Sequence, residues 1–449
     1  MARILGTNAA ETLTGTDLSD RIFGFDGADT LRGGGGDDWL EGGRGADRLE
    51  GGAGLDTASY DGSKVGVFVS LVSGRGFNGD AEGDTLVGIE NLAGSRLADL
   101  LVGNDADNVL TGSSGADYLD GGGGSDTASY QDSTIGVYVS LVTGSGFNGE
   151  AEGDTLVSIE NVRGSAQADL LIGNNERNEF FGGLGDDTIN GGGGDDTLWG
   201  GDLGGAPGNG NDTLKGGGGI DSLIGDWGDD LLDGGTEADW MSGDYGNDTY
   251  IVDNVSDHVY ERSGYGTGDT VMTSVSYSLG RLMEIEVLKT TDATGRSAID
   301  LSGNEFGNHI IGNDGRNTMA GYDGRDRLDG GGDNDRLIGG AQSDDLYGGR
   351  GADTFVYERL SDSSSATGAD NIFDFNTLEG DSIDLHAIDA DGNAANGDQA
   401  FAYAAGGVFH HVAGELRYSA GFLEGDVNGD GTADLSIRVN VDPSGSILM

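Results

Sequence analysis

Leu31, Leu40 and Leu49 each stand alone between two residues that point the other way in an extended chain, and a run of glycines follows each one. One inward side chain flanked by two outward ones is a strand of three residues. The full unit is nine residues long, Gly-Gly-x-Gly-x-Asp-x-apolar-x, as in residues 24–32, 33–41 and 42–50. Glycine at its first, second and fourth places lets the chain take positive φ where any Cβ clashes, so the chain turns at every repeat. A single rung cannot cover its own leucine, and rungs must therefore stack, each leucine shielded by those above and below. The pattern predicts an all-β chain built as a solenoid of short parallel strands, a parallel β-roll in several blocks.

The repeat holds over residues 1–57, with 6–14 and 15–23 as degenerate opening units carrying Glu11 and Asp20 at the sixth place. It breaks over 58–93, where Val67, Val69 and Leu71 alternate as a longer strand does. It resumes over 94–127, breaks again over 128–163, and runs from 164 to 252 with a short insertion, Leu203-Gly204-Gly205-Ala206-Pro207. The second break copies the first: Thr127-Ala128-Ser129-Tyr130 repeats Thr57-Ala58-Ser59-Tyr60, and Asn148-Gly149-Glu150-Ala151-Glu152-Gly153-Asp154 repeats Asn78-Gly79-Asp80-Ala81-Glu82-Gly83-Asp84, seventy residues on. Residues 253–302 form a β-rich connector with strands expected over 269–279 and 284–288; repeats return over 303–357, and 358–449 reads as a separate C-terminal domain.

Composition changes the picture in one respect. Ninety glycines, two prolines, no cysteine and a formal charge of −56 in 449 residues leave little material for an ordinary apolar core. Glycine costs about 0.5–1 kcal/mol relative to alanine in regular structure, so something outside the chain must offset the ordering. A disulfide scaffold and thiolate metal sites are excluded, and the charge disfavours nucleic acid. No apolar leader stands in Met1-Ala2-Arg3-Ile4-Leu5-Gly6 and no apolar run is long enough for a membrane span, so neither a Sec-type signal, an upstream domain nor a membrane span is expected.

The acids keep phase with the glycines. Asp20, Asp29, Asp38, Asp47, Asp56, Asp117, Asp126, Asp187, Asp196, Asp212, Asp221, Asp230, Asp239, Asp248, Asp326, Asp335, Asp344 and Asp353 hold the sixth place. Stacking sets them in files that repel themselves unless a counter-charge enters. Carboxylates together with glycine carbonyls, such as those of Gly33, Gly35, Gly42, Gly191, Gly193, Gly216 and Gly218, are the hard oxygen ligands that Ca2+ takes. The pattern resembles the repeats-in-toxin (RTX) family. That resemblance implies two nonapeptides per coil and several Ca2+ ions held between successive turns. Asp426, Asn428, Asp430 and Asp434 form a further short candidate calcium loop, although Ile437 at its twelfth place rules out an EF-hand; a plain Gly-Asp turn is the alternative.

From residue 358 on, Asp370-Asn371-Ile372-Phe373-Asp374-Phe375, Asp381-Ser382-Ile383-Asp384-Leu385 and Gly414-Glu415-Leu416-Arg417-Tyr418 resemble the C-terminal domain of serralysin-type metalloproteases. That resemblance implies an uncleaved type I secretion signal, and hence the type I secretion apparatus as a partner and an extracellular or cell-surface location. The chain ends Ser446-Ile447-Leu448-Met449, which keeps the family's apolar triplet but lacks the preceding acid.

No catalytic pattern accompanies it. His258, His309, His386, His410 and His411 form no His-Glu-x-x-His, no serine sits in Gly-x-Ser-x-Gly, and no Gly-Lys-Ser/Thr follows a glycine run. The acid pairs Glu82/Asp84 and Glu152/Asp154 read as calcium ligands or solvated turns rather than as acid–base catalysts, and Trp39, Trp199 and Trp240 as outward aromatics. The expectation is a secreted Ca2+-binding structural or interaction protein, adhesin- or matrix-like, with a cell-surface glycan or matrix as partner. The competing readings are a non-catalytic portion or homologue of an exported hydrolase, and a toxin-like protein acting on membranes.

Overall fold

The computed structural model describes residues 1–201, 210–364, 368–393, 395 and 399–449. The insertion Leu203-Gly204-Gly205-Ala206-Pro207 lies outside them. The chain divides into two units, Met1–Asp239 and Trp240–Met449. Among the described residues both are built of short β-strands, with only single 3-10 turns such as Gly79–Ala81 and Gly149–Ala151 beside them.

In the first unit successive nonapeptides alternate between two sheets. Arg3–Leu5, Arg21–Asp26, Trp39–Arg44 and Thr57–Ser59 are parallel neighbours in one; Thr12–Thr14, Thr30–Gly35 and Arg48–Ala53 are parallel neighbours in the other. Ile22, Leu40 and Ala58 therefore stand in line, as do Leu13, Leu31 and Leu49. All but Leu13 are wholly buried, so one apolar side chain per nonapeptide makes the core. This is the β-roll that the glycine period predicts.

Several strands run past the expected three residues. Thr30–Gly35 continues into the glycines, where Gly34 pairs with Gly52 and Gly35 with Ala53. Gly34 has φ +114°, and a Cβ on it would strike the Thr16 carbonyl. Lacking one, the turn backbones themselves lie close enough to join the ladder.

The two breaks in the period add strands to the same roll. Thr85–Val87 lies parallel to Arg48–Ala53, Phe68–Ser70 lies parallel to Leu100–Val102, and Arg75–Phe77 runs antiparallel between them. The longer strand expected around Val67, Val69 and Leu71 shrinks to Phe68–Ser70 because the chain reverses at once, with Gly74 at φ +61°. Tyr138–Ser140, Ser145–Phe147 and Thr155–Val157 reproduce the arrangement in the second copy. Outside, Phe68 stacks on Phe77 at 5.2 Å and Tyr138 on Phe147 at 5.3 Å.

The second unit repeats the two-sheet plan. Thr249–Val252, Thr270–Thr273, Val287–Thr290, His309–Ile311, Arg327–Asp329, Asp345–Tyr347 and Asp370–Ile372 follow one another in parallel on one side. Tyr277–Ser278, Leu301–Ser302, Thr318–Asp323, Arg336–Ala341, Thr354–Val356 and Ser382–Asp384 do so on the other. The stretch 269–279, expected as one strand, is divided between the two sheets as Thr270–Thr273 and Tyr277–Ser278, with the Thr273 hydroxyl donating to the Val275 carbonyl in the turn between them. An antiparallel meander, Glu415–Ser419, Phe422–Asp426 and Leu435–Val439, joins the first sheet through Leu435–Val439 against Asp370–Ile372, and Ile447–Leu448 joins the second against Ser382–Asp384. Trp39 is half-buried beneath the Arg21 guanidinium, Trp199 stacks on Phe181, and Trp240 is exposed beside His258.

Candidate metal centres

Each sixth-place aspartate sits at the end of a glycine turn, and its two oxygens do different work. The Oδ1 of Asp38 accepts the N–H of Asp20 at 2.7 Å, and that of Asp56 accepts the N–H of Asp38 at 2.8 Å; on the opposite edge Asp29, Asp47 and Asp84 hold the N–H groups of Glu11, Asp29 and Asp47. The stitch continues through Asp117, Asp126, Asp187, Asp196, Asp212, Asp221, Asp230 and Asp239, and in the second unit through Asp326, Asp335, Asp344 and Asp353. One oxygen thus ties each coil to the next.

The other oxygen is left over. The Oδ2 atoms of Asp29, Asp38, Asp47, Asp56, Asp117, Asp126, Asp187, Asp196, Asp212, Asp221, Asp326, Asp335, Asp344 and Asp353 are buried with no hydrogen-bond partner. Each faces the first-place glycine of its own turn. A Cβ built on Gly33 would meet both Asp38 Oδ2 and the Gly51 carbonyl of the next coil; Gly191 and Gly216 are cradled likewise between Asp196 or Asp221 and the Gly216 or Gly234 carbonyl, and Gly42 meets Asp47. Gly35 and Gly193, at the third place, instead donate their N–H groups to Thr16 and Asn174 carbonyls, while Gly218 pairs with Gly193 and Thr236 in the ladder. Carboxylate and carbonyl oxygens from adjoining turns converge with no donor between them, which is the donor set of a hard divalent cation. An unneutralised buried acceptor costs roughly 1–3 kcal/mol, more when charged.

The electrostatics carry the same mark. Burial pushes the carboxyls of Asp47, Asp56 and Asp126 up to about 6, those of Asp196, Asp335, Asp344 and Asp353 to about 7, those of Asp117 and Asp326 to about 8 and that of Asp187 to about 9. Neighbouring carboxylates in the file push the same way, as Asp212 does at Asp187. The turns hold their acids in a state that favours a bound positive charge.

The RTX calcium-binding nonapeptide repeat (four copies) matches residues 5–40, 23–58, 94–128, 172–202, 207–241, 225–259, 302–337 and 321–355, together just over half of the chain. The chain belongs to the RTX family. No curated protein matches it. RTX repeats are calcium-binding repeats, and a Ca2+ ion in these turns would supply the charge that the Oδ2 file lacks. The residues that would hold it are the sixth-place aspartates with an open Oδ2 and the first-place glycine carbonyls beside them.

Asp20 stands apart from these RTX aspartates. Both its oxygens are taken, Oδ1 by the Ala2 N–H and Oδ2 by the Thr16 N–H at 2.7 Å and hydroxyl at 2.8 Å, and the Ala2 bond foremost holds its carboxyl below the usual range. Asp248 meets a different set. Its N–H goes to Asp269 Oδ1 at 2.8 Å, and Asp248, Glu261 and Asp269 bring three buried carboxylate oxygens within 4.8 Å of one another. The Tyr250 hydroxyl donates to Glu261 at 2.5 Å, and burial pushes Glu261 up to about 8. At the C-terminal loop Asp426 accepts the N–H groups of Gly429, Asp430 and Gly431, Asp434 those of Val427 and Asn428, and Asn428 that of Asp430, so the structure gathers the four residues into one knot.

Sequence reasoning missed several members of the files. Asp84 and Asp154, Glu90 and Glu160, Asp269, Glu286, Asp370 and Asp381 each accept the N–H of the acid one coil earlier, as the sixth-place aspartates do. The signal was present: residues 79–87 keep the first-place Gly79 and the Asp84-Thr85-Leu86-Val87 ending of a nonapeptide, without glycine at the second and fourth places. The five histidines are dispersed: His309 pairs with Asp329, His386 with Asp384 and His410 with Glu415, each at 2.8 Å.

Proposed function

We propose that this RTX chain is an exported protein that folds on meeting extracellular calcium, holds several Ca2+ ions between stacked turns, and then serves as a structural or interaction module, adhesin- or matrix-like, toward a cell-surface glycan or matrix. The observation that carries the reading is the row of buried Oδ2 atoms without a partner, in register along both edges of the roll. Extracellular calcium modules bind with Kd on the order of 10⁻⁴–10⁻³ M. At a free Ca2+ of about 1 mM and a Kd of about 0.1 mM each site contributes roughly 1.4 kcal/mol, and at cytosolic calcium almost nothing. The chain is unfolded and threadable inside, folded outside. The serralysin-like order of residues 370–375, 381–385 and 414–418 supports a type I route with the signal in 358–449. Asp426, Asn428, Asp430 and Asp434 add a further calcium loop in that region.

Far-UV circular dichroism during a Ca2+ titration tests the reading. The β signal is expected to rise cooperatively near millimolar calcium and to collapse on adding EGTA. A spectrum unchanged between EGTA and 5 mM Ca2+ would overturn it.

A further inference from the structure

Not every turn of the roll is built for an ion. In the turn 94–99, Asp99 Oδ2 accepts the Ser95 N–H at 2.6 Å while Oδ1 accepts the Ser95 hydroxyl at 3.0 Å and the Val67 N–H at 2.7 Å. In the turn 103–108 the acid is replaced by Asn108, whose Oδ1 accepts the Asn104 N–H at 2.7 Å and whose Nδ2 donates to the Glu90 carbonyl of the preceding coil at 2.7 Å. A neutral amide there supplies the donor that a cation supplies elsewhere, and brings no charge that must be cancelled. The coil before it closes in a third way. Tyr60, wholly buried, donates its hydroxyl to Asp84 Oδ2 at 3.2 Å, the oxygen that in a glycine turn is left over.

All three closures recur seventy residues later. Asp169 takes the Ser165 N–H and hydroxyl and the Val137 N–H; Asn178 takes the Asn174 N–H and donates to the Glu160 carbonyl at 2.8 Å; Tyr130 donates to Asp154 Oδ2 at 3.1 Å. Between the copies lie Asp117 and Asp126, with open Oδ2 atoms. The same stretches hold more apolar material than a glycine rung. Val67, Val69, Ala81, Leu86, Ile89 and Leu92 are buried within one copy, against one side chain per nonapeptide in the regular roll. Burial of that kind stabilises by about 25 cal/mol per Å2 without any ion.

We propose that residues 58–111 and 128–181 are two calcium-independent folding nuclei set into a calcium-dependent roll. The inference rests on the reading above that the glycine turns take calcium. It gives the chain an order of events: the two duplicated coils form first and present paired strand edges, Thr85–Val87 and Leu100–Val102 among them, on which ion-loaded turns then stack.

Hydrogen exchange read by mass spectrometry on the full chain tests it. In EGTA, peptides within 58–111 and 128–181 are expected to exchange at least about tenfold more slowly than an unfolded control, while peptides within 20–56 and 182–200 match that control. Calcium then brings all of them to the slow rate. Uniform exchange at the unfolded rate in EGTA would overturn the nuclei and leave calcium-driven folding intact. A chain to which calcium adds no protection anywhere would sink the calcium reading, and this inference with it. The double variant Asn108→Asp/Asn178→Asp restores the charge, and it is expected to lose the EGTA protection around both turns and regain it with calcium. Unchanged protection in EGTA would overturn the assignment of the amide as the cation's substitute.

Discussion

The turns 33–38 and 103–108 have the same length and sit in the same kind of coil, yet they settle their polar atoms in opposite ways. In the first, Asp38 spends one oxygen on the Asp20 N–H and leaves the other buried beside Gly33 and the Gly51 carbonyl. In the second, Asn104 and the Asn108 amide meet every demand within the chain. Four of the six residues differ, and the two that make the bonds are asparagines, Asn104 for glycine at the second place and Asn108 for aspartate at the sixth. On the function proposed above, calcium dependence belongs to individual turns and not to the roll as a whole.

The widest gap between the two regions opens on removing the metal. EGTA is expected to abolish most of the β signal while the 58–111 and 128–181 regions persist. Acid is expected to narrow the gap. Burial raises the carboxyls of the open turns in the ion-free roll, that of Asp47 to about 6 and that of Asp187 to about 9, against about 4 in an unfolded chain. A raised folded value means stability that is present below pH 4 and lost as pH climbs through 6 to 9. In EGTA the chain should thus be more structured at pH 4.5 than at pH 8, with the order reversed in excess calcium, where protons compete for the same oxygens; circular dichroism at the two pH values checks both signs. Leu31→Ala removes a wholly buried side chain and should cost about 2–5 kcal/mol in calcium-loaded protein, read as a drop in denaturation midpoint.

Exchanging the sixth-place residues tests the comparison most directly. Asn108→Asp should destabilise the EGTA state by about 1–3 kcal/mol through a buried unpaired acceptor facing the Glu90 carbonyl. Asp38→Asn should do the converse, easing the ion-free state while forfeiting roughly 1.4 kcal/mol of linkage in millimolar calcium. Arg32→Ala, which removes a half-exposed partner of Glu50, should shift the midpoint by no more than about 0.2–1 kcal/mol in either condition.

The β-roll and its aspartate files were legible because glycine, acid and leucine hold a common phase, and phase survives without knowledge of tertiary contacts. What escaped was structure held by contacts between coils. Asp84 and Glu90 lack the Gly-Gly-x-Gly prefix, and only the N–H groups of Asp47 and Asp56 reveal that they belong to the files. Asp20 carries the right residue in the right place, but the threonine four positions before it takes the oxygen an ion needs. At the second place of the turn Thr16, Ser95 and Asn104 give their N–H groups to the sixth-place side chain, whereas Ser113, at φ +66°, leaves Asp117 Oδ2 open.

The hydrogen bond that one acid's Oδ1 accepts from the N–H eighteen residues earlier also limits how such a chain can grow. Adding or deleting eighteen residues returns every leucine to its own sheet, whereas a change of nine sends it to the opposite one and unpairs the edge. The seventy-residue copy is not a multiple of eighteen, yet with its breaks in the period it too returns each residue to its own sheet: Leu101 and Leu171 occupy one and Leu92 and Val162 the other. Length in this architecture comes in whole coils.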